Sequence, residues 1–239
     1  NWNPDRKHLK NKVLIPILGN RYGEVLENGE LALFYEDGGF FVRYFDNVLP
    51  LSPETYEIIL QKVSIPSDKG PDGLSALIAA VVSKISRLPR YTELDPERIA
   101  ERRSQIEEIK RVLGLACMES TVLRDSIEKS LQAFNGRKGE PRSFDALDKL
   151  LSRQVWLISH WRTATDEVNY RRFFDISTLA AIRVEDMNVF NATHSLVFKL
   201  VEEGRVTGLR VDHPDGLFDP LEYLWRLQHE CFVRRGSHL

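Results

Sequence analysis

The pattern of apolar and polar residues in the first fifty positions is typical of β-strands. Short apolar runs cover Val13 to Leu18, Leu31 to Tyr35 and Phe40 to Tyr44, and Asp37-Gly38-Gly39 separates the last two. Because glycine accepts the positive φ of a tight turn, these two runs predict a β-hairpin. We therefore expect a small β-rich segment over residues 1–51.

Helical periodicity replaces this pattern over residues 52–163. Ser52-Pro53-Glu54 is typical of a helix start, because proline is favoured at the first helical position. Four further helices are predicted: Leu74 to Arg87, Pro96 to Leu115 after Asp95, Thr121 to Phe134 after Ser120, and Phe144 to Arg162 after Ser143. This region is therefore predicted to be a large helical insertion.

The last third, residues 164–239, alternates strand and helix patterns. Strands are predicted at Asn169 to Ile176 and Val206 to Val211, and helices at Asp186 to Glu203 and Pro220 to Cys231. This order is typical of βα units with parallel strands. A complete (β/α)8 barrel takes about 250 residues, so two units cannot close a sheet. Either they complete a sheet begun in the first fifty residues, or the chain is a piece of a larger α/β protein, which we favour.

Composition narrows the functional classes. The chain has 239 residues, and its 33 basic and 35 acidic residues give a net charge of -2, so no basic excess points to nucleic acid. Cys117 and Cys231 lie far apart in apolar stretches, without zinc-ligand spacing. No apolar run approaches the ~20 residues of a membrane span. We expect a soluble, cytoplasmic protein without a metal or a membrane partner.

The candidate chemistry lies at the end of the second predicted strand, in the segment from Gly208 to Gly216. Arg210 and Asp212 are two residues apart, so on a strand they share a face. A guanidinium group beside a carboxylate keeps it ionised and oriented. Covalent chemistry on a sugar needs such a carboxylate at the mouth of a barrel strand. The alternative is a surface ion pair without a catalytic role.

Several stretches together resemble the maltooligosyltrehalose synthases of the α-amylase family. The most specific are the Asn-Tyr-Arg-Arg-Phe-Phe-Asp segment at 169–175 and the Gly-Leu-Arg-Val-Asp-His-Pro-Asp-Gly segment at 208–216. Further similar stretches lie at 13–19, 22–27, 43–46 and 160–162. The resemblance spans essentially the whole chain.

This resemblance implies a partial (β/α)8 barrel of the amylase type and a retaining, intramolecular transglycosylation without a cofactor. The substrate is a maltooligosaccharide, an α-1,4-glucan, whose reducing-end linkage becomes an α,α-1,1 linkage and so leaves a trehalose end. Asp212 matches the family's nucleophile, and Arg210 matches the arginine that holds it in place. The acid/base glutamate is expected beyond Leu239, and the first amylase motif before Asn1, so the rest of the barrel should come from segments outside this chain.

A chain with the nucleophile but without its acid is expected to be inactive alone, since the leaving oxygen must be protonated. Two other hypotheses remain open. An amylase-like hydrolase would release free reducing sugar instead of forming trehalose ends. A glucan-binding module would bind maltooligosaccharides without any reaction.

Six further residues are candidates for substrate contact, and four of them have an alternative role. His213 contacts the sugar or caps the loop, and Asp215 contacts it or closes a turn with Gly216. Asp175 binds substrate or pairs with Arg171 or Arg183. Trp161 is a sugar platform or a core side chain at the end of a helix. Tyr170 and Arg172 share one face of the first predicted strand.

Overall fold

A computed structural model describes Leu9 and residues 12–65, 73–174 and 176–236. The chain forms two compact units, Arg6–Thr163 and the residues from Ala164 onward. The first contains β1 (Val13–Leu18), α1 (Tyr22–Glu27), β2 (Leu31–Glu36), β3 (Gly39–Tyr44), β4 (Asn47–Pro50), α2 (Tyr56–Leu60), α3 (Leu74–Ile85), α4 (Pro96–Glu119), α5 (Thr121–Phe134), α6 (Asp145–Leu151) and β5 (Trp156–His160). The second contains α7 (Ala164–Glu167), β6 (Arg172–Phe173), β7 (Ile176–Ala180), α8 (Met187–Glu202) and α9 (Pro220–Gly236).

The first unit contains the predicted β-hairpin. Strands β2, β3 and β4 form an antiparallel sheet, in which Glu36 pairs with Gly39. The two residues between them, Asp37 and Gly38, have φ values of 46° and 79°. Positive φ at both central positions matches the right-handed twist of the flanking strands. The hairpin prediction is confirmed.

Two of the helix starts in this unit, those of α4 and α5, follow from local capping. The Asp95 carboxylate accepts a hydrogen bond from the Glu97 amide at 3.0 Å, and the Ser120 hydroxyl accepts one from the Leu123 amide at 3.2 Å. Each cap satisfies one of the amide groups that have no partner in the first helical turn. The predicted helices at α4 and α5 are therefore confirmed, and the predicted helix from Leu74 is confirmed by the observed range of α3, Leu74–Ile85.

The predicted helix from Phe144 to Arg162 is wrong beyond Leu151. Residues Trp156–His160 form β5, which pairs in parallel with β1 from Val13↔Trp156 to Leu18↔His160. An apolar run of this length fits a buried strand as well as a helix, and only the partner strand decides between them. The contact with β1 therefore overrides the local helical pattern.

One continuous core fills the first unit. Helices and sheet share buried side chains that include Phe40, Tyr56, Phe134 and Phe144. The buried Gln154 amide joins distant segments, since its Oε1 accepts a bond from the Ser52 amide at 2.7 Å and its Nε2 donates to the Leu150 carbonyl at 2.7 Å. Buried polar groups need such partners.

The second unit has a smaller core. Its described buried cluster consists of Phe190, Phe198 and Leu227, on α8 and α9. The Asp186 carboxylate caps α8 by accepting a bond from the Asn188 amide at 2.9 Å, and Gly204 follows the helix at φ 68°. Both ends of α8 agree with the prediction.

Both strands predicted in this unit need correction. The first is confined to Arg172–Phe173, which pairs antiparallel with Ile176–Ala180, and Val206 to Val211 is not a strand. An extended segment without a neighbouring strand leaves its amide and carbonyl groups without partners, so local alternation alone cannot form it. The protein is mixed α/β and mostly helical, and the partial barrel and the three-domain division stay predictions.

Candidate functional site

The segment that resembles the nucleophile strand lies on the surface of the second unit. Val211 packs against the cluster around Phe190, and this contact anchors the segment. The next side chain, Asp212, is 73% exposed. His213 then adopts a left-handed backbone with φ 50°, and Pro214–Gly216 forms a 3-10 turn. Asp212 therefore lies in water at the tip of a loop.

The His213 ring joins the two most specific sequence motifs. It packs edge-on against Phe173 and Phe174, with ring centroids 5.4 Å and 4.6 Å away. The two phenylalanine rings are themselves 4.4 Å apart and edge-to-face. Aromatic rings favour this geometry because a positive edge meets a negative face. Neither phenylalanine was among the predicted site residues, although both lie within the quoted 169–175 motif.

Two carboxylates flank the same imidazole. The Asp212 Oδ2 atom is 3.8 Å from His213 Nε2, and the Asp215 Oδ1 atom is 4.0 Å from His213 Nδ1. Both distances exceed hydrogen-bond length, so attraction arises only when the ring is protonated. The structure thus brings together Asp212, His213 and Asp215.

Arg210 is not brought to Asp212. No ion pair joins the two side chains, both of which lie in the part of the chain that the structure describes. Their predicted contact depended on strand alternation, and the segment is not extended into a strand. Beside it, between α8 and α9, lies a cavity of about 390 Å³ whose lining includes Val206, Leu209 and Val211. In this conformation the Arg210 guanidinium is therefore not beside the Asp212 carboxylate, and that contact was the one proposed to orient the nucleophile.

An ion pair that the sequence analysis missed holds the β6–β7 hairpin. Arg171 donates to Glu185, and this contact holds the pKa of the Glu185 carboxyl below its usual value. The Arg171 guanidinium also lies 5.4 Å from the centre of the Phe218 ring. Arg226 of α9 donates to the Val184 carbonyl at 3.2 Å. Asp175, which was predicted to bind substrate or to pair with Arg171 or Arg183, lies outside the described residues.

The remaining candidates are spread over both units. In the second unit Tyr170 is half-buried, and Arg172 Nη2 lies 3.4 Å from the Ala164 carbonyl. Trp161 belongs to the first unit, where it follows β5 and not a helix. Its side chain is 55% exposed, so it is not a core residue.

Within the described ranges, no group of three or more His, Cys, Asp and Glu side chains could hold a metal ion. None of the helices in those ranges is long and apolar enough to cross a membrane.

Comparison with known proteins supports the resemblance in part of the chain. Two proteins from strains of Mycobacterium tuberculosis, provisionally named maltooligosyl trehalose synthases, are each 47% identical to it over 76 residues. The match covers 32% of this chain and 10% of each relative. No family model matches the chain. The resemblance inferred from the motifs is thus confirmed, although the chain spans only a small part of these relatives.

Solved structures give a looser similarity. A maltooligosyltrehalose synthase from Arthrobacter ramosus has 24% identity and a TM-score of 0.44, covering 94% of this chain and 18% of that one. A Sulfolobus tokodaii protein, described as a hypothetical maltooligosyl trehalose synthase, has 21% identity and a TM-score of 0.43, covering 92% and 17%. At these TM-scores the superpositions do not establish a common fold.

Proposed function

We propose that this chain is part of a maltooligosyltrehalose synthase. Such an enzyme converts the reducing-end α-1,4 linkage of a maltooligosaccharide to an α,α-1,1 linkage by intramolecular transglycosylation. The observation that carries the proposal is the packing of His213 against Phe173 and Phe174, which places two otherwise distant motifs side by side. The 47% identity to the mycobacterial relatives supports it independently.

Asp212 is the proposed nucleophile. In a retaining mechanism it would attack the anomeric carbon while a second carboxyl, roughly 5–5.5 Å away, protonates the leaving oxygen. Arg210 is its proposed positioning residue. We infer that Arg210 reaches Asp212 when residues 206–211 are extended beside a neighbouring strand, because alternation then places both side chains on one face.

The other candidates have proposed roles in holding the sugar. His213 and Asp215 lie beside Asp212 and offer polar atoms to sugar hydroxyl groups. Tyr170, Arg172 and Asp175 are proposed contacts from the adjacent motif, and Trp161 is a proposed stacking platform. A site that transfers a glucose unit without hydrolysis must keep the released sugar and exclude water. The exposed Asp212 does not meet this need, so we propose that this chain alone is inactive.

The first experiment incubates the 239-residue chain with maltopentaose and follows reducing ends and free glucose. No change in either is expected. Loss of reducing ends without glucose would establish the synthase reaction and contradict the proposed inactivity.

The parent activity is tested in a chimera. Residues 164–236 of this chain replace the matching stretch of an active maltooligosyltrehalose synthase. Reducing ends should disappear without glucose, and Asp212→Asn should lower kcat by on the order of 10³-fold or more. Free reducing sugar as the main product would instead indicate an amylase-like hydrolase. Binding without any reaction, unchanged by Asp212→Asn, would indicate a glucan-binding module.

A further inference from the structure

The carboxyl ends of β1 and β5 meet at one edge of the first unit. The last paired residues are Leu18 and His160, and Gly19 and Trp161 follow them directly. In parallel α/β sheets, ligands bind outside the carboxyl ends of the strands. A binding surface in the first unit is therefore expected at this edge.

Trp161 presents a fixed aromatic face there. The Thr163 hydroxyl donates to the His160 carbonyl at 2.8 Å and lies 2.7 Å from the Ser159 hydroxyl, so the turn Trp161–Thr163 is held to the strand. The Arg162 guanidinium lies 5.2 Å from the centre of the indole ring. The ring thus stays more than half exposed on a restrained backbone.

A second exposed ring is fastened to the same strand end. The Gly19 amide donates to the Tyr44 hydroxyl at 2.8 Å, which ties the β3–β4 turn to the end of β1. A β-carbon at Gly19 would lie 3.3 Å from that hydroxyl, so the approach is close. The next residue, Phe45, packs edge-on against Tyr44 at 4.8 Å and is 69% exposed.

Local structure does not account for a phenylalanine at position 45. Tyr44 pairs with Asn47, so Phe45 is the first residue of a two-residue turn, and its φ is 49°. Glycine is favoured at such a position, since a side chain there costs about 1–2 kcal/mol. The exposed ring recovers little of this cost through burial. Backbone strain without a packing reason is characteristic of functional positions.

We propose that Phe45 and Trp161 form a binding site for an α-1,4-glucan chain at this edge of the first unit. Pyranose rings have apolar faces that stack on exposed aromatic rings and hydroxyl edges that bind polar groups. Asn20, Arg21 and Arg162 are exposed at the same strand ends and supply such groups. A protein partner would favour a continuous apolar patch over two rings among polar residues. The choice of an α-glucan rests on the proposed function.

The test measures maltoheptaose binding to the full chain by isothermal titration calorimetry. Phe45→Gly and Trp161→Ala should each weaken the affinity by about tenfold or more, the loss expected when one stacked ring is removed. Phe45→Gly should not lower Tm, because glycine fits the positive φ. Trp225→Ala removes an indole that is 63% exposed on α9 and should leave affinity unchanged within about twofold.

Wild-type affinity in both Phe45→Gly and Trp161→Ala would overturn the proposal, and so would the absence of maltoheptaose binding by the unaltered chain. Failure of the proposed function is read separately, from the products of the chimera, which lacks Phe45 and Trp161 of this chain. The two proposals can therefore fail independently.

Discussion

The two units differ in how much apolar surface they bury. The unit Arg6–Thr163 packs helices and sheet around one large core, which includes Phe40 and Phe134. The unit from Ala164 onward buries Phe190, Phe198 and Leu227, while Trp225 and Phe232 on α9 stay largely exposed. Because buried apolar area is the main favourable term in folding, we expect the first unit to be the more stable.

The difference also affects the two proposed sugar sites. Phe45 lies on a turn that a hydrogen bond fastens to the end of β1, and Trp161 lies on a turn that a hydrogen bond fastens to the end of β5. Asp212 lies on a loop that Val211 anchors from one side. A catalytic carboxylate must be held to within fractions of an ångström, so the second unit needs more support than its own residues supply. Binding can therefore be complete in the first unit while catalysis is not complete in the second.

The largest expected effect is the loss of a core ring in the first unit. Phe40 is fully buried and packs edge-to-face against Tyr56 at a centroid distance of 4.9 Å. Phe40→Ala should lower the free energy of unfolding by about 3–5 kcal/mol, through lost burial and the cavity left behind. Urea denaturation measures the change.

Phe232→Ala is the matched control in the second unit. The ring is 79% exposed, so its removal should change the free energy of unfolding by less than about 0.5 kcal/mol. If the two variants lost equal stability, the inferred difference between the units would be wrong.

A pair of glycine substitutions sharpens the comparison. A β-carbon on Gly38 would lie 1.9 Å from the Lys110 carbonyl oxygen, and the residue has a positive φ. Gly38→Ala should therefore cost roughly 2–4 kcal/mol from strain and overpacking together. The same change at Gly208, where a β-carbon meets nothing within 4 Å, should stay within about 0.5 kcal/mol. Thermal unfolding of both variants tests this difference, and equal Tm values would contradict it.

The same contrast explains which elements the sequence could predict. In the first unit Gly38 specifies the hairpin turn, and Asp95 and Ser120 specify helix starts, because each acts on its immediate neighbours. Strand β5 could not be predicted, since its pairing with β1 joins residues more than a hundred positions apart. Local patterns predict local structure, and the missed strand depends on a distant partner.

For the candidate site, sequence identified residues but not their arrangement. The motifs at 169–175 and 208–216 do meet, through His213 and the two phenylalanines. The Arg210–Asp212 contact assumed a strand, which needs neighbours that local alternation cannot supply. The Arg171–Glu185 ion pair was not predicted. Glu185 lies in a loop, and no periodic pattern relates its position to that of Arg171.

The Arg171–Glu185 pair makes the second unit sensitive to acid. Arg171 lowers the pKa of the Glu185 carboxyl from its ordinary value of 4.5. The pair therefore stabilises the unit fully above pH 4.5, and this contribution is lost as the pH falls through the lower, folded-state pKa. Glu185→Gln should cost about 1–2 kcal/mol at pH 7 and reduce the pH dependence. Amide hydrogen exchange of α8 and α9, measured between pH 3 and 7, follows the change.

Glu203→Gln is the control for this prediction. Its carboxylate lies 2.9 Å from Arg205, whose side chain is well exposed, so the pair should contribute less than about 0.5 kcal/mol. Equal losses in the two variants would mean that the partial burial of Glu185 has no effect.

The smallest expected difference concerns two equivalent helix caps. Asp95 and Asp186 each accept a hydrogen bond from the second amide of their helix, at 3.0 Å and 2.9 Å. Fraying after Asp95→Ala exposes nothing that was buried, because residues 96–99 are already exposed. Fraying after Asp186→Ala reaches Phe190, one of the few buried rings in its unit. We expect a loss of about 1 kcal/mol for Asp186→Ala and about half of that for Asp95→Ala. Hydrogen exchange in the first turns of α4 and α8 measures the stability lost in each variant. A greater loss for Asp95→Ala than for Asp186→Ala would show that the small core of the second unit does not make its helix start more sensitive.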